Sequence, residues 1–323
     1  MIERQRKAYK KITKRMPAGD RIITHPYQFR PMWMHNAYTF MLHKAPRLME
    51  ATYIKWRRNW DVKVLKPMYA GLAEHLHKRT FPLFSAIEIE TTNWCNNTCE
   101  FCPVNVYNND QPKIMMPADR FHNLIDQLGA MNYTGEIYLY SNNEPLLDKR
   151  IIEFARYARE KVPDATLIMW TNGKVITIEK FVELMRYLDY MKLDNYSDDL
   201  DFIEPILAVY EYAKEKPEYQ NGRLNIQFRL LTERLTTRAG EAKNRSNIPP
   251  IGIPCFNPFV QMVVKSDGRA TLCSNDSKGM VTMGDTTKQS LVDIWRGPKY
   301  MELRRKILAG RRGLELCEKC DFM

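Results

Sequence analysis

The chain has 323 residues, 44% of them apolar, with modest Gly and Pro, which suits a globular protein of about two domains and excludes fibrous or low-complexity classes. No apolar run approaches the length of a membrane span, and the charged start Met1–Lys7 leads into no apolar leader, so a cytoplasmic protein without a transmembrane segment is expected. The net charge of +11 is one-sided: residues 1–85 hold 18 Lys/Arg against 5 Asp/Glu, whereas the remainder hold 31 against 33.

That basic segment also carries Trp33, Tyr38, Phe40, Tyr53, Trp56 and Trp60. Apolar residues recur at helical spacing over 31–58 (Met34, Tyr38, Met41, Leu42) and over 67–78 (Met68, Leu72, Leu76). Residues 1–85 therefore read as a basic, mostly helical extension. Its surface is either an ordinary solvated helical face or a contact for a polyanion such as nucleic acid.

From Ala86 the pattern changes. Ala86–Thr91 alternates as a strand, and a strand-then-helix rhythm follows: helix 121–131, strand 136–140, helix 148–161, strand 165–170, helix 179–188, strand 190–193, helix 203–215 and strand 224–230. Such alternation means a parallel sheet with crossover helices. Its length is short for a full eight-fold barrel, so the fold class expected is α/β, a partial (β/α)6 TIM-like barrel over 86–235. Parallel barrels carry their chemistry on the loops after the strands. The polar motifs fall there: Cys95-Asn96-Asn97-Thr98-Cys99-Glu100-Phe101-Cys102, Ser141-Asn142-Asn143-Glu144-Pro145 and Thr171-Asn172-Gly173.

Three cysteines with gaps of three and two residues read as a metal loop that leaves one coordination position open. Spacing alone also allows half a zinc site or unrelated buried thiols. A second set, Cys255, Cys273, Cys317 and Cys320, lies in residues 236–323, where Val260–Val264 and Ala270–Leu272 flank an Asp267-Gly268 hairpin turn. The hairpin would join Cys255 to Cys273, and the CxxC pair would close a four-thiolate site. A structural zinc site fits this spacing at least as well as an iron–sulfur cluster.

Cys95, Cys99, Phe101 and Cys102 match the CxxxCxΦC signature, Φ being aromatic, and the chain resembles the radical S-adenosylmethionine (SAM) superfamily. The resemblance implies that these three cysteines hold a 4Fe-4S cluster whose open iron chelates SAM, with the Phe101 backbone at the adenine. It further implies that Asn142, Asn143 and Glu144 stand where the family has a GGEP-like motif, Glu144 binding the SAM amino group and Asn172 lying nearby. Asparagine tolerates left-handed backbone, so the turn can survive the loss of both glycines. Cys255-x12-Gly268-x4-Cys273, Met283-Gly284-Asp285, Leu291-x3-Trp295 and the final CxxC resemble a SPASM/twitch extension, which implies an auxiliary 4Fe-4S cluster on Cys255, Cys273, Cys317 and Cys320.

The implied activity is a radical SAM oxidoreductase. It cleaves SAM reductively to a 5'-deoxyadenosyl radical and abstracts hydrogen from carbon. Three plus four cysteines exhaust the seven, leaving no thiol hydrogen donor, which favours two-electron oxidation of a small polar substrate such as a sugar, cyclitol or nucleotide derivative. Asp194, Arg229 and Arg238 are candidate catalytic or anchoring groups by position, and the implied electron donor is a flavodoxin or ferredoxin. The alternatives are radical modification of a peptide or nucleic acid recruited by residues 1–85, and a non-catalytic zinc-binding interaction protein.

Overall fold

The computed structural model describes residues 22–24, 70–76, 81–107, 111–220, 222–232, 236–242 and 254–322. The amphipathic pattern over 31–58, and with it most of the basic segment, lies outside them. Residues 70–76 are helical, as their spacing predicts. Among the described residues no helix is long and apolar enough to cross a membrane.

The strands are β1 (Ile23–Thr24), β2 (Ala86–Ile89), β3 (Glu136–Tyr138), β4 (Thr166–Thr171), β5 (Tyr190–Tyr196), β6 (Leu224–Arg229), β7 (Gln261–Val264), β8 (Arg269–Thr271) and β9 (Thr282–Asp285). They form one sheet in the order β1-β6-β5-β4-β3-β2-β7-β8-β9. Every pairing from β1 to β7 is parallel, while β7–β8 and β8–β9 are antiparallel. The partial barrel expected from the strand–helix rhythm is the observed fold. Its five central strands gain one parallel neighbour at each edge: β1 comes from the N-terminal segment, ahead of the stretches read from sequence as helical, and β7 from beyond residue 254.

Helices α1 (Ala118–Ala130), α2 (Ile151–Lys161), α3 (Ile178–Met185) and α4 (Glu204–Ala213) provide the crossovers. Each presents an apolar stripe at 3.6-residue spacing, such as Phe121, Leu124, Ile125 and Leu128 on α1 and Ile151, Phe154, Ala155 and Ala158 on α2. Phe121 stacks on Phe154 at 4.1 Å. A Cβ at Gly129 would lie 2.8 Å from the Lys161 carbonyl, so this close approach of α1 to the end of α2 needs glycine.

Strand residues alternate between two environments. Ile87, Leu167, Met169, Met191, Leu193, Ile226 and Phe228 are buried in the helix-covered core. The opposite face, the barrel lumen, carries Glu88, Tyr138, Trp170, Lys192, Asp194 and Arg229. β5 runs three residues past its predicted end at Leu193 because Asp194 and Tyr196, polar residues that read as loop, face this polar lumen.

Beyond the barrel, the Asp267-Gly268 turn forms the expected hairpin, with Gly268 at φ +90°, and Arg120 of α1 donates to the Asp267 carbonyl at 2.7 Å. Met283-Gly284-Asp285 lies in β9, followed by α5 (Leu291–Trp295) and α6 (Pro298–Ala309). Trp295 donates to the Pro82 carbonyl at 2.7 Å and packs edge-on against Phe84, fastening α5 to the segment that leads into β2.

Candidate functional site

Because β2 to β7 are parallel, their C-terminal ends open on one side, and the cysteine loop, residues 141–145, Thr171–Asn172, Asp194, Arg229 and Lys265 all emerge there. Within the loop, Cys102 N–H donates to the Cys99 carbonyl at 3.1 Å, and the Asn97 backbone N–H bonds the Cys95 sulfur. Burial first, then the Glu144 carboxylate, pushes the Cys95 thiol up to about 12; burial and its two neighbouring thiols push Cys99 up as well. A bound cation would favour their thiolate forms.

Glu144 is buried and triply bonded. Its Oε1 accepts from Leu146 N–H at 3.0 Å and from the Thr171 hydroxyl, and its Oε2 accepts from Asn172 N–H at 2.8 Å. Burial nevertheless pushes its carboxyl up to about 7. The Asn172 side chain donates to Asn96 Oδ1 at 2.8 Å and reaches Cys95 Sγ at 3.5 Å, so three separate motifs meet around one carboxylate.

Neither Asn142 nor Asn143 has a positive φ, so the left-handed turn suggested by their residue type is not used. Their side chains act instead. Asn142 donates to the Ser274 carbonyl at 2.9 Å and accepts from Arg238, whose other Nη bonds Asn275 at 3.2 Å. Asn143 accepts from Ser141 N–H at 3.0 Å and donates to Thr92 at 3.2 Å. Arg238 and Ala239 lie at φ +49° and +59°, a strained pair whose turn is held by Thr237, bonded to Asp321 and to the Lys319 carbonyl.

The lumen below is ionic and aromatic. Asp194 lies 3.0 Å from Lys192 Nζ and 3.7 Å from Arg229 Nη1. Arg229 stands over the Phe101 ring at 5.9 Å, and Tyr196 packs against that ring at 6.0 Å. Tyr140 stacks on Trp170, 38% exposed, with Lys192 4.3 Å over the indole. Glu88 accepts from Ser141 at 2.6 Å and from Gln261 at 2.5 Å, and burial pushes it up to about 7. Glu90 is ion-paired with Lys265 at 2.5 Å. A cleft opens between the cysteine loop and the hairpin, lined by Trp94, Asn142, Lys265 and Lys278 among others.

Cys255, Cys273, Cys317 and Cys320 are buried around one shared cavity, and none of the seven cysteines forms a disulfide. Burial, then Cys255 and Cys320, pushes Cys317 up to about 12, and burial with the same two neighbours raises Cys273. Backbone N–H groups two residues on, at Asn257, Asn275 and Phe322, bond the sulfurs of Cys255, Cys273 and Cys320. Arg311 lines the same cavity with two N–H-bearing nitrogens unpartnered, and buried Asn97 Nδ2 in the first loop is likewise unpartnered among the described residues. Donors aimed at sulfur, and orphaned donors beside it, fit anionic groups at both places. Among the described residues no three such ligand side chains converge on a single-ion position, so the thiols line a space instead of closing on a point.

The radical SAM superfamily model matches residues 89–219, and the SPASM model, an iron–sulfur cluster-binding domain, matches residues 255–321. The chain thus carries a radical SAM domain followed by a SPASM domain. This radical SAM chain is similar to the S-adenosyl-L-methionine-dependent 2-deoxy-scyllo-inosamine dehydrogenase of Niallia circulans, at 29% identity over 244 residues that span 74% of this chain and 93% of that one. The crystal structure of BtrN in complex with AdoMet and 2-DOIA aligns with a TM-score of 0.64 at 26% identity, covering 75% of this chain and 94% of that one. Selenomethionine BtrN in an open conformation shares the fold, with a TM-score of 0.56 at 23% identity over 74% of this chain and 93% of that one. The radical SAM chain is thus an oxidoreductase that uses SAM, a SAM-binding 4Fe-4S cluster and auxiliary iron–sulfur chemistry. The zinc-binding, non-catalytic alternative is set aside.

All the candidate site residues singled out from sequence lie in these two groupings: Cys95, Cys99, Phe101, Cys102, Asn142, Asn143, Glu144, Asn172, Asp194, Arg229 and Arg238 around the barrel mouth, and the four remaining cysteines around the second cavity. Sequence reasoning missed Glu88, Glu90, Lys192, Lys265 and Arg311. The charged alternation of Glu88 in β2 and Glu90 just after it was the available signal for the first two; Arg311, in a Gly-Arg-Arg-Gly run, has none.

Proposed function

We propose that this enzyme removes two electrons from a carbinol carbon of a small polyhydroxylated ring, of the cyclitol or sugar class, bound in the ionic lumen beneath the cysteine loop. Cys95, Cys99 and Cys102 are the ligands of the SAM-binding cluster, with Glu144 receiving the SAM ammonium and Phe101, Asn142, Asn143 and Asn172 shaping the remaining SAM contacts. Cys255, Cys273, Cys317 and Cys320 ligate the auxiliary cluster. Residues 86–235 form the barrel that does the chemistry and 236–323 the auxiliary unit. When bound, the SAM and its reduced cluster supply a 5'-deoxyadenosyl radical, and the auxiliary cluster supplies a one-electron acceptor.

The chain's own groups do the rest. The Asp194 carboxylate, held between Lys192 and Arg229, accepts a substrate hydroxyl and takes its proton as the carbonyl forms. The stacked Tyr140–Trp170 pair gives the ring a flat apolar floor, and Glu88 with Ser141 offers further hydroxyl contacts. Burial of Glu144 and of the thiols keeps water away from a reactive radical. A flavodoxin or ferredoxin is the proposed electron source, and the cytosol, where seven thiols stay reduced, the proposed compartment.

The observation that carries the reading is the Lys192–Asp194–Arg229 cluster directly against Phe101 of the cysteine loop. The 29% identical cyclitol dehydrogenase supports the same substrate class. The test is anaerobic turnover of the reconstituted enzyme with a panel of polyols deuterated at the carbinol carbons. Deuterium in 5'-deoxyadenosine with a matching carbonyl product is expected; deuterium transfer only from peptide or nucleic acid would overturn the proposal.

A further inference from the structure

Two arginines of the C-terminal region are buried with sharply different surroundings. Arg304 on α6 is boxed by Phe81, Trp295 and Tyr300, whose rings lie 4.1, 3.9 and 4.7 Å from its guanidinium carbon, and it donates to the Pro258 and Trp295 carbonyls. Its charge is met by ring faces and carbonyl dipoles. Arg311, 1% exposed, has no such cage. One nitrogen donates to the Cys320 carbonyl at 3.0 Å; Nε and Nη2 find no acceptor, and no carboxylate pairs with it, among the described residues. It lines the cavity enclosed by the four thiols and bears electrostatically on Cys255, Cys317 and Cys320.

A guanidinium is charged at any physiological pH, and a buried cation with no counter-charge is heavily penalised. The penalty disappears if an anion fills the cavity. Four thiolates outweigh the positive charge of a cubane core, and reduction by one electron makes the whole one unit more negative. A fixed cation beside it therefore favours the reduced state.

We propose that Arg311 is the built-in counter-charge of the auxiliary cluster, a positioning residue that raises the cluster's reduction potential so that it can take an electron from the oxidising substrate. The proposal rests on the four-cysteine ligand set given above. Electron balance is simple: the substrate radical loses one electron and its hydroxyl proton to become a carbonyl, the proton passing to Asp194, and the auxiliary cluster gains the electron.

The test uses the full chain with Cys95, Cys99 and Cys102 replaced by Ala, so that only the auxiliary cluster is reconstituted. Iron and sulfide are counted, and the potential is read by redox titration followed by electron paramagnetic resonance. Arg311→Gln is expected to retain iron and to shift the potential negative by at least a tenfold change in the electron-transfer equilibrium, about 59 mV for a one-electron couple. Arg311→Lys, which keeps the charge, is expected to stay nearer the parent. Arg304→Lys is expected to lower the melting temperature and leave the potential in place. An Arg311→Gln protein with full iron at the parental potential would overturn the proposal. If Arg311→Gln loses its iron, Arg311→Lys decides: restored loading supports the counter-charge, and equal loss overturns it. No iron in the parent itself would mean that the ligand set, not the role of Arg311, has failed.

Discussion

The two cysteine sites are built on opposite principles. The first draws all its thiols from an eight-residue stretch at the end of β2, so its geometry is set by one loop and checked by two neighbours, Glu144 and Asn172. The second collects thiols from either side of the hairpin and from a turn after α6, with Thr237 and Asp321 tying the last of them to the strained turn at Arg238. A site built locally is insensitive to the distant fold and can be opened to chemistry. One assembled from remote segments staples those segments together and is suited to a closed, fully ligated role.

The largest expected effect tests that division of labour. Cys99→Ser should abolish 5'-deoxyadenosine formation while the melting temperature of the unloaded protein stays near the parent's, measured by chromatography and circular dichroism. Cys317→Ser should do the reverse. SAM cleavage persists, oxidised product falls by about 10- to 100-fold, and thermal stability of the loaded protein drops. If both variants behave alike, the two sites are not specialised.

Glu144→Gln removes the carboxylate that bonds Thr171 and Asn172 at the end of β4. SAM affinity should weaken by about 10- to 100-fold, the scale of hydrogen bonds to a charged group, as read by equilibrium binding to the loaded enzyme. The smallest effect concerns Glu88, whose carboxyl is raised by burial to about 7 from an ordinary 4.5. Ionising it penalises only the folded state, so the penalty is absent below the lower value, grows between the two and is complete above the upper one. Glu88→Gln should therefore stabilise the protein at pH 8 by on the order of 1–3 kcal/mol, with the gain vanishing near pH 5 in denaturant titrations.

What the sequence disclosed follows from the same contrast. Strand–helix periodicity located α1 to α4 and strands β2 to β6 within a few residues, because each element carries its own apolar stripe. The cysteine loop was legible because its spacing is local. Lys192 and Glu88 were not, since a polar residue alternating with an apolar one reads as solvent-facing, whereas here the second face is the barrel lumen; Asp194 was picked out by position, without the ion pairs that hold it. Asn142 drew attention for its backbone tolerance and turned out to matter through its amide, which touches Ser274 far along the chain. Arg311 was invisible for the same reason: the thiols it faces are brought to it only by folding.

The edges of the sheet bear on self-association. An incomplete barrel leaves two rows of unsatisfied backbone groups, which invite pairing with another chain. Here β7, which precedes the hairpin of the auxiliary unit, seals β2 along its length, and β1 covers part of β6 at the other side. The unit that completes the redox chemistry is also the guard on a sticky margin, so a chain cut before residue 254 would forfeit protection against self-association along with the cluster.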